Sequence, residues 1–249
     1  MTTIIGGKCV DGALLISDRK LAYNDRPTEY IEKMHSDRYP IVTSAAGGSN
    51  AYSNFRNKLL PDLQPEPKPG AWQNMQVSGI IEMISIKPED SYSYYTEHLS
   101  RLVKEVNQNE AEYDKILLLV GMQLKDRGAI LLQFNEKGYP TEEHKYVAIG
   151  SGESYTYVFL KPFYRPDITM REFARLGYFT IKYMDRFEID EGSGLSRSKP
   201  FDRPQIWFIP DSGRLYHGDE HPDLIGEFES DTNKMLDNLE QKGLSVFLQ

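Results

Sequence analysis

The 249-residue chain has a single cysteine, Cys9, so no internal disulfide can form. A reducing compartment, the cytoplasm, is the expected location. With only five histidines beside that cysteine, little is left for a structural zinc site, and no metal or other cofactor is expected. Positive charge is also scarce: 29 Lys and Arg against 37 Asp and Glu give a net charge of −8. That balance excludes a broad phosphate-binding surface, and with it a nucleic-acid partner. Long apolar runs are missing too. The longest, Ile116 to Val120, is far too short to span a bilayer. Met1 to Val10 lacks the basic start and apolar run of a signal peptide. What remains, 39% hydrophobic and 27% charged residues, is ordinary for a globular protein. The length suits one large domain or two small ones.

Pattern gives a coarse order of elements. Thr3-Ile4-Ile5 and Ala13-Leu14-Leu15-Ile16 flank Asp11-Gly12, a strong hairpin signal. A third strand is expected at Ile41 to Ala46. It leads through Gly47-Gly48-Ser49 into a helix over Asn50 to about Leu60, with Asn50 as N-cap. Pro61 to Gly70 holds four prolines and reads as a loop or insertion. A second helix is expected over Glu89 to Gln108. Strands follow at Lys115 to Gln123, Ala129 to Phe134 and Tyr146 to Ile149. Two more helices read as Glu153 to Phe163 and Met170 to Phe187, the latter opened by the capping box Thr169 to Glu172. Ile206 to Ile209 reads as a strand. A helical tail covers Leu224 to Gln241, with Gly243 as its stop. Hairpin-linked strands separated by helix pairs predict antiparallel sheets layered with helices, not a doubly wound fold.

The chemistry centres on the N-terminus. If Met1 is removed, Thr2 carries both a hydroxyl and a free α-amine. An α-amine titrates near pH 7.7–8.0 in model peptides, roughly, and can take the hydroxyl proton at neutral pH. On Thr2 alone, an ordinary start of a chain is the far commoner case. The surrounding run, Thr2-Thr3-Ile4-Ile5-Gly6-Gly7 through Asp11-Gly12 to Ser17-Asp18-Arg19, resembles the opening of a proteasome β-type subunit. These subunits are N-terminal nucleophile (Ntn) hydrolases. Lys33-Met34, Ala46-Gly47, Gly150-Ser151-Gly152 and Asp190-Glu191-Gly192-Ser193-Gly194 continue the resemblance in order. No one of these motifs is specific; their shared order is the signal.

The resemblance implies an α+β chain built as a four-layer αββα sandwich, two antiparallel sheets between helix layers. It implies one Ntn-hydrolase domain over 2–215, an insertion at about 61–88 where family subunits meet, and a C-terminal extension over 216–249. The implied activity is threonine-type endopeptidase. Thr2 is then the nucleophile, Lys33 the positive charge that eases its deprotonation, and Asp18 the partner of Lys33. The Gly47 N–H donates to the oxyanion, while Ser151, Asp190 and Ser193 orient the α-amine. Lys20, His35, Ala45 and Ser49 would line the substrate pocket. The substrate is a peptide or unfolded protein. A homo-oligomeric ring is implied, with proteasome α-type subunits as candidate partners. No propeptide precedes Thr2, so methionine removal rather than autolysis would expose it.

Each residue also has a plainer reading: Asp18 could cap a turn, and Lys33 could be solvated beside Glu32. A scaffold subunit that keeps the fold without activity is the serious alternative, and an Ntn amidase or transpeptidase is a related one. A serine hydrolase using Ser49 is more remote. Gly47-Gly48-Ser49-Asn50-Ala51 mimics a nucleophile elbow, but the preceding chain is hairpin-like. His217-Gly218-Asp219-Glu220-His221 has two histidines four apart, yet Gly218 and Pro222 argue for a loop of solvated residues rather than a metal site.

Overall fold

A computed structural model describes residues 2–23, 26–38, 41–63, 88–108, 110–111, 115–189, 194–197 and 201–247. The N-terminal strands β1 (Thr3–Cys9) and β2 (Gly12–Ser17) pair antiparallel, with Cys9 opposite Gly12. This is the hairpin that Asp11-Gly12 predicts. Both strands are buried on both faces, so side chains alternate between two cores. Ile5, Leu14 and Ile16 enter one cluster with Phe173, Tyr178 and Phe228. Ile4, Ala13 and Leu15 enter another with Val42, Leu119, Leu131 and Ile209.

Three short strands follow: β3 (Lys20–Tyr23), β4 (Arg26–Tyr30) and β5 (Met34–Arg38). Their polar composition hides them in the sequence. β6 (Ile41–Ala46) runs into helix α1 (Ser49–Leu63). Ser49, not Asn50, opens that helix, and Pro61 lies within its last turn rather than ending it. Helix α2 (Pro88–Gln108) starts on a proline, whose fixed φ suits a first turn. The insertion expected at about 61–88 falls almost wholly outside the described residues.

Strands β7 (Leu117–Leu124), β8 (Gly128–Phe134) and β9 (Pro140–Glu142) extend one sheet, and β10 (Tyr146–Gly150) joins the other. Helices α3 (Glu153–Phe163) and α4 (Met170–Arg186) come next. At the N-terminus of α4 the expected capping box is formed: Thr169 Oγ1 accepts from the Glu172 N–H and Glu172 accepts from the Thr169 N–H. β11 (Gln205–Pro210), β12 (Tyr216–His217), a 3₁₀ turn (Gly218–Glu220) and helix α5 (Pro222–Phe247) complete the order. α5 continues through Gly243, the expected stop.

The two five-stranded antiparallel sheets run β10-β1-β2-β11-β12 and β5-β6-β7-β8-β9, with β3-β4 as a separate ribbon. Three clusters fill the gaps between layers. One lies between the sheets. A second packs α1 and α2 on the β6-β7-β8 sheet through Phe55, Leu99, Val103 and Val120. The third packs α3, α4 and α5 on the other sheet. The chain is therefore a four-layer α+β sandwich. The layers approach closely at Gly121, where a Cβ would stand 2.1 Å from Ile209 Cδ1 and the isoleucine would have to shift. α5 lies along α4 with Ile225, Phe228 and Leu236 buried. The rim is laced by ion pairs such as Arg175–Asp231 and Arg186–Glu240. Exposed pairs of that kind contribute about 0.2–1 kcal/mol each at most, so the apolar seam carries this contact.

Cys9 is buried in the helix-side core, and burial pushes its thiol up to about 12. Iodoacetamide at pH 8 is expected to leave Cys9 unmodified in the native protein and to alkylate it in urea; native alkylation, read by intact mass, would show that β1 opens.

Candidate active site

The site forms where β1 starts, β2 ends and β5 begins. Asp18 follows β2 directly and is fully buried. A buried carboxylate is tolerable only if its lone pairs are matched by donors. Here five donors reach it. Oδ1 accepts from Thr2 Oγ1 at 2.9 Å, the Thr3 N–H at 2.8 Å and Lys33 Nζ at 2.7 Å. Oδ2 accepts from the N–H groups of Lys20 at 3.2 Å and Gly194 at 3.0 Å. Asp18 thus does cap its own turn, through Lys20, while also pairing with Lys33.

Thr2 and Lys33 are themselves 6% and 5% exposed, which rules out a freely solvated lysine. Two side chains hold the Lys33 backbone. Gln205 Oε1 accepts from the N–H groups of Lys33 and Met34, and its Nε2 donates to the Met34 carbonyl. Ser44 Oγ donates to the Lys33 carbonyl at 3.0 Å. Both are buried and were missed in the sequence. Gln205 is a lone amide at the head of the apolar run Ile206 to Ile209, which is the one local sign of its role.

Ser151 lies against Thr2, with its N–H donating to the Thr2 carbonyl at 2.9 Å and its Oγ at 3.4 Å from the same oxygen. The turn around it needs glycine. Gly150 has φ +103°, and a Cβ there would fall 2.0 Å from the Thr2 carbonyl oxygen. Gly47 ends β6 at φ +124°, where a Cβ would meet the Lys115 carbonyl at 2.0 Å. Asp190 and Ser193 lie outside the described residues.

The residues expected to line a pocket are more scattered. Lys20 lays its aliphatic chain over Gly194, with Cδ 3.3 Å from the position of a Cβ there. The His35 ring stands 6.1 Å from Tyr52. Ala45 is half-buried against the α1/α2 core, and Ser49 is the first residue of α1.

The Gly194 segment is clamped from both sides. Its N–H reaches Asp18, and its carbonyl accepts from the N–H groups of Arg19 and Lys20, each at 3.0 Å. The next N–H, of Leu195, donates to Asp185 Oδ1 on α4 at 2.8 Å.

The family model for proteasome subunits matches residues 83–196, a span that contains Ser151, Asp190 and Ser193 but not Thr2, Asp18, Lys33 or Gly47. Among solved structures, the chain is similar to Anbu (ancestral beta-subunit) from Yersinia bercovieri. The two are 16% identical over 96% of this chain and 97% of that one, with a TM-score of 0.69. The family match covers less than half of the chain, and at 16% identity the solved structure shows a shared fold. No curated protein matches the chain. In this shared fold the Thr2, Asp18 and Lys33 side chains meet where β1 starts, β2 ends and β5 begins.

Burial raises the Asp185 carboxyl above its ordinary value, against the Leu195 N–H and the positive charges of Lys182 and Lys20; Asp18 adds to the rise. A carboxyl raised on folding gives stability that is full at low pH and is lost as pH rises through the folded value. Asp185→Asn keeps an acceptor for Leu195 and removes the buried charge. It is expected to raise Tm relative to wild type at pH 7, with the difference shrinking towards pH 4. A difference that grows on acidification, measured by calorimetry, would show the charge to be stabilising.

Proposed function

We propose that the chain is a threonine-type peptidase of the proteasome β kind, acting through Thr2 once Met1 has been removed. One observation carries this reading: a single buried carboxylate oxygen, Asp18 Oδ1, accepts from both the Thr2 hydroxyl and the Lys33 ammonium. A scaffold has no need to bury that ion pair against a threonine, since buried pairs seldom add stability over apolar packing.

The chemistry follows from the residues. The α-amine of a terminal Thr2 accepts the Oγ proton, through one water where the direct path is poor. Oγ then bonds to the substrate carbonyl carbon, and the carbonyl π electrons move onto oxygen. The Gly47 N–H is the proposed donor to that oxyanion. Lys33, fixed by Asp18, lowers the energy of the developing alkoxide by its charge. Collapse breaks the C–N bond, and the leaving amine takes the proton held by the α-ammonium. Water, deprotonated by the same amine, cleaves the ester and restores Thr2. The structure around Ser151 supports a role in holding the Thr2 backbone, with Asp190 and Ser193 proposed beside it. Lys20, His35, Ala45 and Ser49 remain the proposed pocket residues, and no cofactor enters any step.

The substrate is proposed to be a peptide or unfolded protein, and the location cytoplasmic. Among the described residues no helix is long and apolar enough to cross a membrane. Assembly into a homo-oligomeric ring, with α-type subunits as possible partners, is supported by exposed apolar side chains on α3. Tyr155, Val158 and Phe163 are 44%, 67% and 62% exposed there.

A β-lactone or epoxyketone probe tests the reading on protein whose intact mass shows Met1 removed. Thr2 is expected to carry the label, Thr2→Ala none, and Thr2→Ser a reduced level. Lys33→Ala is expected to slow labelling by about two orders of magnitude or more. A retained Met1 in protein from its native host, or labelling that persists in Thr2→Ala, overturns it.

A further inference from the structure

The motif His217-Gly218-Asp219-Glu220-His221 takes no part in the proposed reaction, yet it is built into the fold rather than left in solvent. His217 pairs with Trp207 across β11 and β12, and their rings stand 5.1 Å apart. His217 Nδ1 accepts from the Asp219 N–H, and Glu220 Oε1 accepts from the His217 N–H, so the 3₁₀ turn caps itself. That corrects the expectation of solvated polar residues for His217 and Asp219, which are half-buried, while Glu220 and His221 are exposed. With Nδ1 accepting from the backbone, the imidazole is tied to the turn. The two histidines serve as turn and packing residues, His221 against Tyr216.

The turn aims Asp219 inward. Its Oδ2 lies 3.5 Å from Arg19 Nη2 and its Oδ1 2.9 Å from Arg203 Nη2. Among the described residues Arg19 is the largest of the fully buried side chains, at 1% exposure. Its Nε donates to the Arg203 carbonyl at 2.9 Å, and its guanidinium faces the Phe201 ring. Asp219 is its one ion-pair partner among the described contacts, and Glu32 adds negative charge from the strand side. A buried guanidinium that loses its carboxylate is left uncompensated, and its surroundings must shift to admit water or a counterion.

What would shift is the frame of the site. Arg19 follows Asp18 directly. Its N–H donates to the Gly194 carbonyl, and its carbonyl accepts from the Ile31 N–H at 2.9 Å. Gly194 in turn donates to Asp18, and Ile31 leads into Lys33. One residue thus braces both flanks of the Asp18–Lys33 pair with its backbone, while its side chain is anchored by the C-terminal segment. We propose that Asp219 is a positioning residue for the Thr2 site: through Arg19 it sets the backbone that aligns Asp18 with Lys33 and Thr2, making segment 216–221 a working part of the active-site frame. The inference rests on the reading of Thr2 as nucleophile only for its effect on rate.

Two readouts test it. The first is the kinetics of β-lactone labelling of the full chain with Met1 removed, split into reversible probe affinity and the acylation rate constant. Asp219→Asn and Asp219→Ala are expected to lower the acylation rate constant tenfold or more, with affinity changed less than twofold. Asp219→Glu is expected to recover most of the rate. Arg19→Met combined with Asp219→Ala is expected to add no further loss, as residues in one network are not additive. Asp231→Ala, which breaks an ion pair of α5 with α4, controls for loosened packing and is expected to label at the wild-type rate. Wild-type acylation by a folded Asp219→Asn protein, or an equal loss in Asp231→Ala, overturns the proposal. The second readout needs no reactivity. Hydrogen exchange in Asp219→Asn is expected to quicken at the amides of Arg19, Lys20, Ile31 and Gly194 and to stay unchanged along α4. Unchanged exchange at those four amides overturns the positioning claim whether or not Thr2 reacts, whereas an unreactive wild-type chain with quickened exchange sinks only the peptidase reading.

Discussion

Asp18 is a carboxylate placed with no solvent contact at the junction of three segments, and the rest of the site follows from satisfying it. Removing a charge from water costs several kcal/mol after relaxation, on general grounds, so it must be repaid by ordered donors. The donors come from five residues: Thr2, Thr3, Lys20, Lys33 and Gly194. They span the sequence from the first strand to the loop after α4. Meeting the needs of one side chain therefore fixes the chain start, the β2 exit, the approach to β5 and the Gly194 turn together. A hydroxyl and an ammonium are held on one oxygen because the carboxylate requires both.

The same condition governs the surrounding shell. Gln205 spends its whole amide on the Lys33–Met34 backbone, and Ser44 takes the Lys33 carbonyl. These contacts fix the Lys33 backbone, from which its side chain reaches Asp18. The neighbouring Gly194 carbonyl has two donors from Arg19 and Lys20, and Leu195 is tied to Asp185. Rigidity at the site thus comes from paired backbone groups on sheets packed on both faces, the condition under which a reacting geometry can be held ready.

What the sequence reveals tracks how local the cause is. The β1–β2 hairpin, β6, the helices at Glu153–Phe163 and Met170–Arg186 and the capping box at Thr169 are legible because apolar period and cap chemistry act within a few residues. Strands β3, β4 and β5 are not, since Lys20–Tyr23, Arg26–Tyr30 and Met34–Arg38 lack an alternating apolar face. Gly243 and Pro61 mislead for the opposite reason: propensity is a weak local term, and here the helices run past both residues. At the site, Thr2, Asp18 and Lys33 were reached through resemblance of an ordered set of motifs, not through any one of them. Gln205 and Asp219 had no such pointer. Their partners are 172 and 200 residues away in sequence, and only packing brings them together.

The single cysteine and five histidines are compatible with the proposed chemistry, which uses neither residue type. A serine or cysteine nucleophile assisted by imidazole would need that ring held in one tautomer by a further hydrogen bond. A terminal threonine carries its own base, so the fold need only supply charge and orientation. That division suits the composition: Cys9 is buried in the helix-side core and His217 caps a turn. The demanding part of the design moves to a lysine and an aspartate that must be buried without being left unpaired. Sheet hydrogen bonds, Gln205 and the Arg19 frame meet that demand, which is why so much of this chain's ordered polar structure gathers around one small acidic side chain.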